Sequence, residues 1–411
     1  MENNRRFDLS ERLIHFFRKL DLEDGSAPET PENWGGHNLS EHTVFSAQFL
    51  LRCAIRNGCL WATWARRGNT RTIYGPRPAI CFTDMPTAAF LETAAVRLKA
   101  GQKISTLALT FPKPAMFDLG ARPAIDGLSG PPVTILTSGV QRTLPPDRLP
   151  LHEQYRYVSY FPTGAYKVDW THEREWRWPY PVEPVVEPDV VSSVADIPGL
   201  NLYEVGLSGL GIIVHTKEQA RFVLHDVLSL VDRKVIALDT FDYVLVADDI
   251  TSPADIRDPA QEEAAIAAAA IDLSKFLTVD LVRDEKIGEE IDAMVQTVEK
   301  AAPNPTVGEL GGCWLWLVDN DHPVTRALLN TDRAMVNKNG KYLMFPYFSD
   351  SRSLGEREDM TKKLAADVKA KYGVECGYFS VLGSDDPDSV PSYNSDFLGN
   401  RMIYNFWSDS L

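Results

Sequence analysis

The residues best suited to chemistry lie in one short run, Asp169-Trp170-Thr171-His172-Glu173-Arg174-Glu175-Trp176-Arg177-Trp178. Read as a strand, this run points the carboxylates of Glu173 and Glu175 to the same face, because side chains alternate along an extended chain. Two acids walled by Trp170, Trp176 and Trp178 suit cleavage of a glycosidic bond. That reaction builds positive charge on the sugar, and a carboxylate can stabilise the charge or orient a hydroxyl on it. The same alternation also describes an antiparallel strand with one wet and one core face, its arginines paired with neighbours.

A second feature is a stretch from Glu41 to Asp84 with no acid between them and no lysine. Its cations are all arginines: Arg52, Arg56, Arg66, Arg67, Arg71 and Arg77. A guanidinium grips phosphate with two prongs where an ammonium offers a point charge. A pyrophosphate or a nucleic-acid backbone fits such a set, and so does a solvated face pairing with acids elsewhere. Thr83 and Asp84 end the phrase Ala79-Ile80-Cys81-Phe82, and Pro86 stops its continuation. They stand either at a cleft or as turn and capping residues. His15 sits among Leu13, Ile14, Phe16 and Phe17, where a core histidine and a ligand-contacting one look alike. Asp319, Asp321 and His322 match no metal-ligand spacing and read as a polar loop, and Cys313 between Gly312 and Trp314 reads as buried.

These residues need elements to carry them. Glu11–Leu20 has apolar residues at helical spacing behind Ser10, which predicts a capped helix. Asp21–Ser40 reads as a long loop, Val44–Trp64 as a buried helix, and Ala115–Pro150 as largely loops. Strands are expected at Ala79–Thr83, Ile104–Phe111, Tyr155–Tyr160, Trp176–Tyr180, Gly211–Val214 and Tyr243–Ala247. Asp258–Leu277 opens with Asp-Pro and two glutamates and reads as a helix. Beyond it, helices near Asp284–Ala301 and Glu356–Tyr372 alternate with strands at Cys313–Val318 and Tyr378–Leu382. The expected organisation is a mixed α and β domain over 1–255, a helical connector over 256–277, and a smaller α/β domain over 278–411.

Composition narrows the class. A chain of 411 residues exceeds one ordinary core. Hydrophobic residues at 44% and charged residues at 24% are globular values. No apolar stretch reaches the roughly 18 residues of a membrane span, and Met1–Arg6 leads into no signal core, so the expected location is the cytoplasm with no membrane partner. Five cysteines without a C-x-x-C pair argue against a disulfide framework or a structural zinc. The net charge of −15 argues against indiscriminate coating of nucleic acid but leaves room for a local basic groove.

Four phrases in order carry a resemblance: Leu13-Ile14-His15-Phe16, Cys81-Phe82-Thr83-Asp84-Met85-Pro86, Gly120-Ala121-Arg122-Pro123-Ala124-Ile125 and Trp170-Thr171-His172-Glu173-Arg174-Glu175-Trp176-Arg177. Over roughly residues 10–250, the chain resembles the bacterial abortive-infection proteins of the AbiGi type, which are distantly similar to ADP-ribosyltransferase-like toxins of the DarT kind. The resemblance implies an α+β fold, with a split mixed β-sheet in the N-terminal domain and NAD bound across it as substrate. It places His15 against the NAD ribose, Thr83 at the strand-end hydroxyl position, and Glu175 on the nicotinamide ribose. Glu173 would orient the acceptor, while Arg77, Arg71 or another arginine of the acid-free stretch would hold the pyrophosphate. The implied activity is mono-ADP-ribosyl transfer to a macromolecule in anti-phage defence or a toxin–antitoxin pair. The basic stretch tilts the acceptor towards RNA or DNA over protein, and a toxin or antitoxin is the expected partner. Two departures stand out: Phe82-Thr83-Asp84 replaces the usual Ser-Thr-Ser, and Phe17 replaces a frequent threonine. They bear on NAD turnover and not on the fold, and the missing Ser-Thr-Ser favours the rival reading, a non-catalytic antitoxin-like or regulatory partner that binds a nucleotide or a protein. An NAD glycohydrolase needs the same site without an acceptor.

Overall fold

The computed structural model describes residues 10–21, 23, 44–67, 70–129, 135–138, 141–163, 167–181 and 198–396. Of the loop expected over Asp21–Ser40, all but Asp21 and Glu23 falls outside the described residues. The chain divides into two compact units. One holds residues to Ala220 and Asp239–Ile271, and the other holds Arg221–Leu238 and Asp272–Ser408.

The first unit is built on a seven-stranded sheet. Its strands are β1 (Arg12–Phe16), β2 (Ala79–Thr83), β3 (Ala108–Pro112), β4 (Arg122–Pro123), β5 (Glu175–Pro179), β6 (Leu210–Val214) and β7 (Phe241–Val246). From one edge to the other they run β4, β5, β2, β1, β3, β6, β7. Only β6 and β7 are parallel, joined by the crossover helix Lys217–Asp232. The sheet is therefore mixed, and the unit is α+β.

The helix expected over Glu11–Leu20 is strand β1. A strand buried on both faces shows a continuous apolar run, and periodicity alone does not separate that from a buried helix. Ser10 caps nothing: its hydroxyl donates to Arg12 O and accepts from Arg12 N. Val44–Trp64 is likewise not one helix. Helix α1 (Ala47–Asn57) opens where Ser46 Oγ accepts from Phe49 N and closes at Gly58, whose φ of 62° is the left-handed stop that glycine tolerates. A strand at Cys59–Trp61 follows. Between Tyr155 and Tyr160 only Tyr157–Val158 is extended, after a 3-10 turn over Leu151–Arg156.

One face of the sheet presents Ile14, Ala108, Ile213, Tyr243 and Leu245. Helix α2 (Thr87–Lys99) covers it with Ala88, Phe90 and Leu91. Each large apolar side chain buried in this way contributes about 1.5–3 kcal/mol. Ala265 and Ile266, on the helix Pro259–Ala268, pack against the same cluster. The helix expected over Asp258–Leu277 is thus broken, with a separate short turn at Ser274–Leu277.

The second unit holds a five-stranded antiparallel sheet. Its strands are β8 (Gly311–Leu317), β9 (Ala334–Val336), β10 (Tyr342–Met344), β11 (Cys376–Leu382) and β12 (Ser392–Asn394), in the spatial order β9, β10, β8, β11, β12. Alternation along β8 sorts its side chains. Leu315 and Leu317 join Ile291, Val295, Leu328, Leu364 and Val368 of three helices (Leu281–Ala301, Pro323–Asn330 and Leu354–Tyr372) in one core. Trp314 and Trp316 pack with Leu343, Phe379, Val381 and Phe222 in another. His322 is a helix cap, its Nδ1 accepting from Val324 N.

Within this unit the end of the crossover helix is fixed by a buried ion pair. Arg326 Nη1 and Nη2 meet Asp232 Oδ2 and Oδ1 at 2.7 and 3.0 Å, and the Tyr342 hydroxyl donates to Asp232 at 2.6 Å. Both charged side chains are under a tenth exposed (8% and 7%). Asn320 ties Tyr342 to the His225 carbonyl, which completes the network. Among the described residues, no helix is long and apolar enough to cross a membrane.

Removing one partner of a buried pair strands the other. Arg326→Met is expected to cost about 3–5 kcal/mol in the unfolding transition of the second unit, read in urea by the fluorescence of Trp314 and Trp316. An unchanged midpoint would show that the pair contributes nothing.

Candidate functional site

Of the expected site residues, His15, Thr83 and Glu175 lie on the neighbouring strands β1, β2 and β5. Ile14 stands opposite Thr83, and Thr83 opposite Glu175, so the three form one row across the sheet. The seam between β1 and β2 is paired at that single position, whereas β1 and β3 pair at five. Directly opposite residues share a face. Glu175 therefore lies on the face of Thr83, Cys81 and Ile14, and His15, one residue on from Ile14, leaves from the other face.

The His15 ring lies edge-on to Phe17 and Phe82, at centroid distances of 5.1 and 5.7 Å. Its Nδ1 is 2.9 Å from the Cys81 carbonyl, so Nδ1 carries the proton and Nε2 keeps its lone pair. Burial lowers the His15 pKa, and the bond to Cys81 opposes that only in part. The imidazole is accordingly neutral at neutral pH.

Glu173 and Glu175 do not share a strand face, contrary to the alternation expected of the run. Thr171–Glu173 is a 3-10 turn, Arg174 takes a left-handed φ of 47°, and β5 starts only at Glu175. The turn is fastened by Asp169, which accepts from Thr171 N and Oγ1, and by Thr83 Oγ1, which donates to the Glu173 carbonyl at 2.6 Å. Glu173 itself reaches Arg97 of helix α2 at 2.7 Å. Thr83 also accepts from Met85 N at 3.1 Å, so its hydroxyl is shared between the turn and the chain just beyond β2.

Glu175 instead meets Arg177. Its Oε1 and Oε2 take Arg177 Nε and Nη2 at 2.8 and 3.0 Å, in the two-pronged geometry of guanidinium and carboxylate. The Arg177 side chain is 4% exposed and that of Glu175 22%. Arg177 Nη1 donates to the carbonyls of Tyr155 and Tyr157 at 2.6 and 3.3 Å, which ties the 151–158 segment to the sheet. Burial would lower the Arg177 pKa, but Glu175, with Cys81 and Asp126, holds it above the ordinary value. The Cys81 thiol is pushed up by burial and then by Glu175, and stays protonated.

Asp84 is a hub that sequence reasoning left as one of two options. It accepts from Arg174 Nε at 2.6 Å, Trp176 Nε1 at 3.1 Å and Lys113 Nζ at 3.3 Å. Burial raises its pKa, but these bonds and charges outweigh that and hold it below the ordinary carboxylate value. Two missed residues, Lys113 and Arg97, come from segments distant in sequence, and no local pattern announces them.

The acid-free arginines do not form one face. Arg52 is wholly buried, and the Arg71 guanidinium lies over the Trp64 ring at 4.4 Å. Arg77 Nε is buried without a hydrogen-bond partner among the described residues. Arg77 is grouped with Arg122 and Arg156 around Tyr155, whose hydroxyl feels all three charges.

Residues 282–406 match a family model described as a protein of unknown function, DUF4427. The matched segment lies in the second unit and contains none of the site residues above. No curated protein and no solved structure matches the chain.

Two outcomes follow from these contacts. Glu175→Gln leaves Arg177 buried without its counter-charge and is expected to cost about 3 kcal/mol, the low end for a buried pair because Glu175 is partly exposed. Equilibrium urea denaturation of the first unit reads this, and a loss under about 0.5 kcal/mol would make the pair a surface one. For Asp84, the folded pKa is depressed, so its stabilisation is present above the ordinary carboxylate value and lost as pH falls through the folded one. The stability difference between wild type and Asp84→Asn should therefore hold steady above about pH 5 and shrink below about pH 4. A difference that grows on acidification would contradict the assignment.

Proposed function

We propose that the first unit is an NAD-dependent mono-ADP-ribosyltransferase acting on a macromolecule, with the site at the β1–β2 seam. The observation that carries this reading is the row Ile14–Thr83–Glu175 with His15 beside it, at the one seam where neighbouring strands pair at a single position. The unit is α+β with a large mixed sheet; the reading takes the β1–β2 seam as its split, and the dinucleotide would lie across it. Glu175 would stabilise the cationic ribose as nicotinamide departs, and a fixed negative charge at that place is the largest help such a step can receive. The neutral His15 Nε2 would accept a ribose hydroxyl. Arg77, whose buried Nε has no hydrogen-bond partner among the described residues, would meet the pyrophosphate. Arg71 would serve through its stacked guanidinium. Glu173 is drawn to Arg97 and would not align the acceptor from its present position. A role in anti-phage defence or a toxin–antitoxin pair accords with this chemistry, and with a nucleic-acid acceptor for the arginine-rich stretch.

A specific observation favours a second reading, a non-catalytic nucleotide- or protein-binding partner. Both Glu175 oxygens are engaged by Arg177, and His15 leaves the opposite face, so the two groups do not share a ligand without rearrangement.

The test is to incubate the full chain with NAD labelled in its adenine moiety, together with RNA, DNA and protein from a cell extract. Transfer of label to a macromolecule is expected, with a loss of about 10²-fold or more in Glu175→Gln and partial retention in Glu175→Asp. Free ADP-ribose alone would make the chain a glycohydrolase. Intact NAD with the wild type would leave only the non-catalytic reading.

A further inference from the structure

With Glu173 turned to Arg97, the proposed reaction lacks a group to take the proton of the incoming nucleophile. We propose that Asp126 is that group, an inference that rests on the transferase reading above. The backbone delivers it to the site from two sides. After β4, Ala124 N donates to the Glu175 carbonyl at 2.8 Å, which bends the chain around the start of β5. Two residues on, Asp126 pairs with Val158 in a short parallel ladder, and Gly127 N donates to the Val158 carbonyl at 2.9 Å. The neighbouring Tyr157 carbonyl is one that Arg177 holds. Asp126 is thus fastened both to β5 and to the segment that Arg177 grips, alongside the Glu175–Arg177 pair. Its side chain is exposed, and among the described residues it makes no hydrogen bond or ion pair.

The charges around it suit the role. Desolvation, then the negative charges of Glu175 on β5 and Asp169 before the 3-10 turn, raise the Asp126 pKa, while Arg177 opposes them. Two carboxylates in unlike surroundings divide their work. Glu175, bound to a guanidinium, supplies a fixed charge, and Asp126, its pKa raised above the ordinary carboxylate value and its side chain open to solvent, exchanges a proton. In the reaction, the acceptor O–H or N–H attacks C1′ of the ribose, and the bond from C1′ to the nicotinamide nitrogen breaks. Its electron pair leaves with neutral nicotinamide. The acceptor's proton passes to Asp126 and then to water.

Azide distinguishes a proton acceptor from a structural acid, because an anionic nucleophile carries no proton to remove. Asp126→Asn in the full chain is expected to lose about 10²-fold or more of transfer and to regain NAD cleavage with sodium azide, giving ADP-ribosyl azide by mass spectrometry. Asp126→Ala should behave the same way, with an unchanged thermal midpoint because the side chain is exposed. Glu175→Gln should gain nothing from azide. An Asp126→Asn chain that transfers like wild type, or one that is slow and not rescued, overturns the inference while leaving the transferase reading intact. A wild-type chain that leaves NAD untouched removes that reading, and this inference with it.

Discussion

A buried guanidinium must have its charge answered, and in the first unit that demand falls on Glu175. Arg177 is almost wholly enclosed and spends its remaining donors on the carbonyls of Tyr155 and Tyr157. The carboxylate therefore does two things at once. It neutralises the cation that joins the 151–158 segment to the sheet, and it stands at the end of β5 opposite Thr83. Whatever acts at this end of the sheet acts through a group already under load. A ligand that drew Glu175 away would have to offer positive charge in return, which a ribosyl cation does.

Around that pair, the strand ends are held by polar contacts. Asp84 gathers Arg174, Trp176 and Lys113, and Thr83 binds the carbonyl of the turn before β5. These contacts come from three separate segments of chain, so the geometry at the β1–β2 seam is fixed by tertiary packing. The second unit uses the same device for a different end. Its Asp232–Arg326 pair joins the end of the crossover helix to the helix Pro323–Asn330, with Tyr342 of the antiparallel sheet donating to Asp232, in the unit that contains the family match. The residues that carry the proposed chemistry lie outside that match.

Several elements were legible in the sequence. Ala79–Thr83, Gly211–Val214 and the strand within Tyr243–Ala247 read correctly because β-branched and aromatic residues are bounded by turn residues. β1 misled because a strand covered on both faces loses its alternation, and Leu13, Ile14, Phe16 and Phe17 mimic a helix face. Glu173 and Glu175 misled for a different reason. The sequence carries no sign that Arg174 turns left-handed, and that one dihedral sends the two acids to different partners. Asp126 escaped notice because its significance depends on a ladder with Val158, formed across an intervening stretch of chain.

The central claim is that the end of the β1–β2 seam holds a dinucleotide against Glu175, with His15 brought to the same ligand by a rearrangement of the seam, and a crystal structure of the Glu175→Gln chain soaked with NAD tests it most directly. The account predicts density for the nicotinamide ribose at residue 175, with the imidazole Nε2 of His15 at hydrogen-bond distance from a ribose hydroxyl. Density at another place on the chain, or an undisturbed Arg177 with no ligand at saturating NAD, would contradict it.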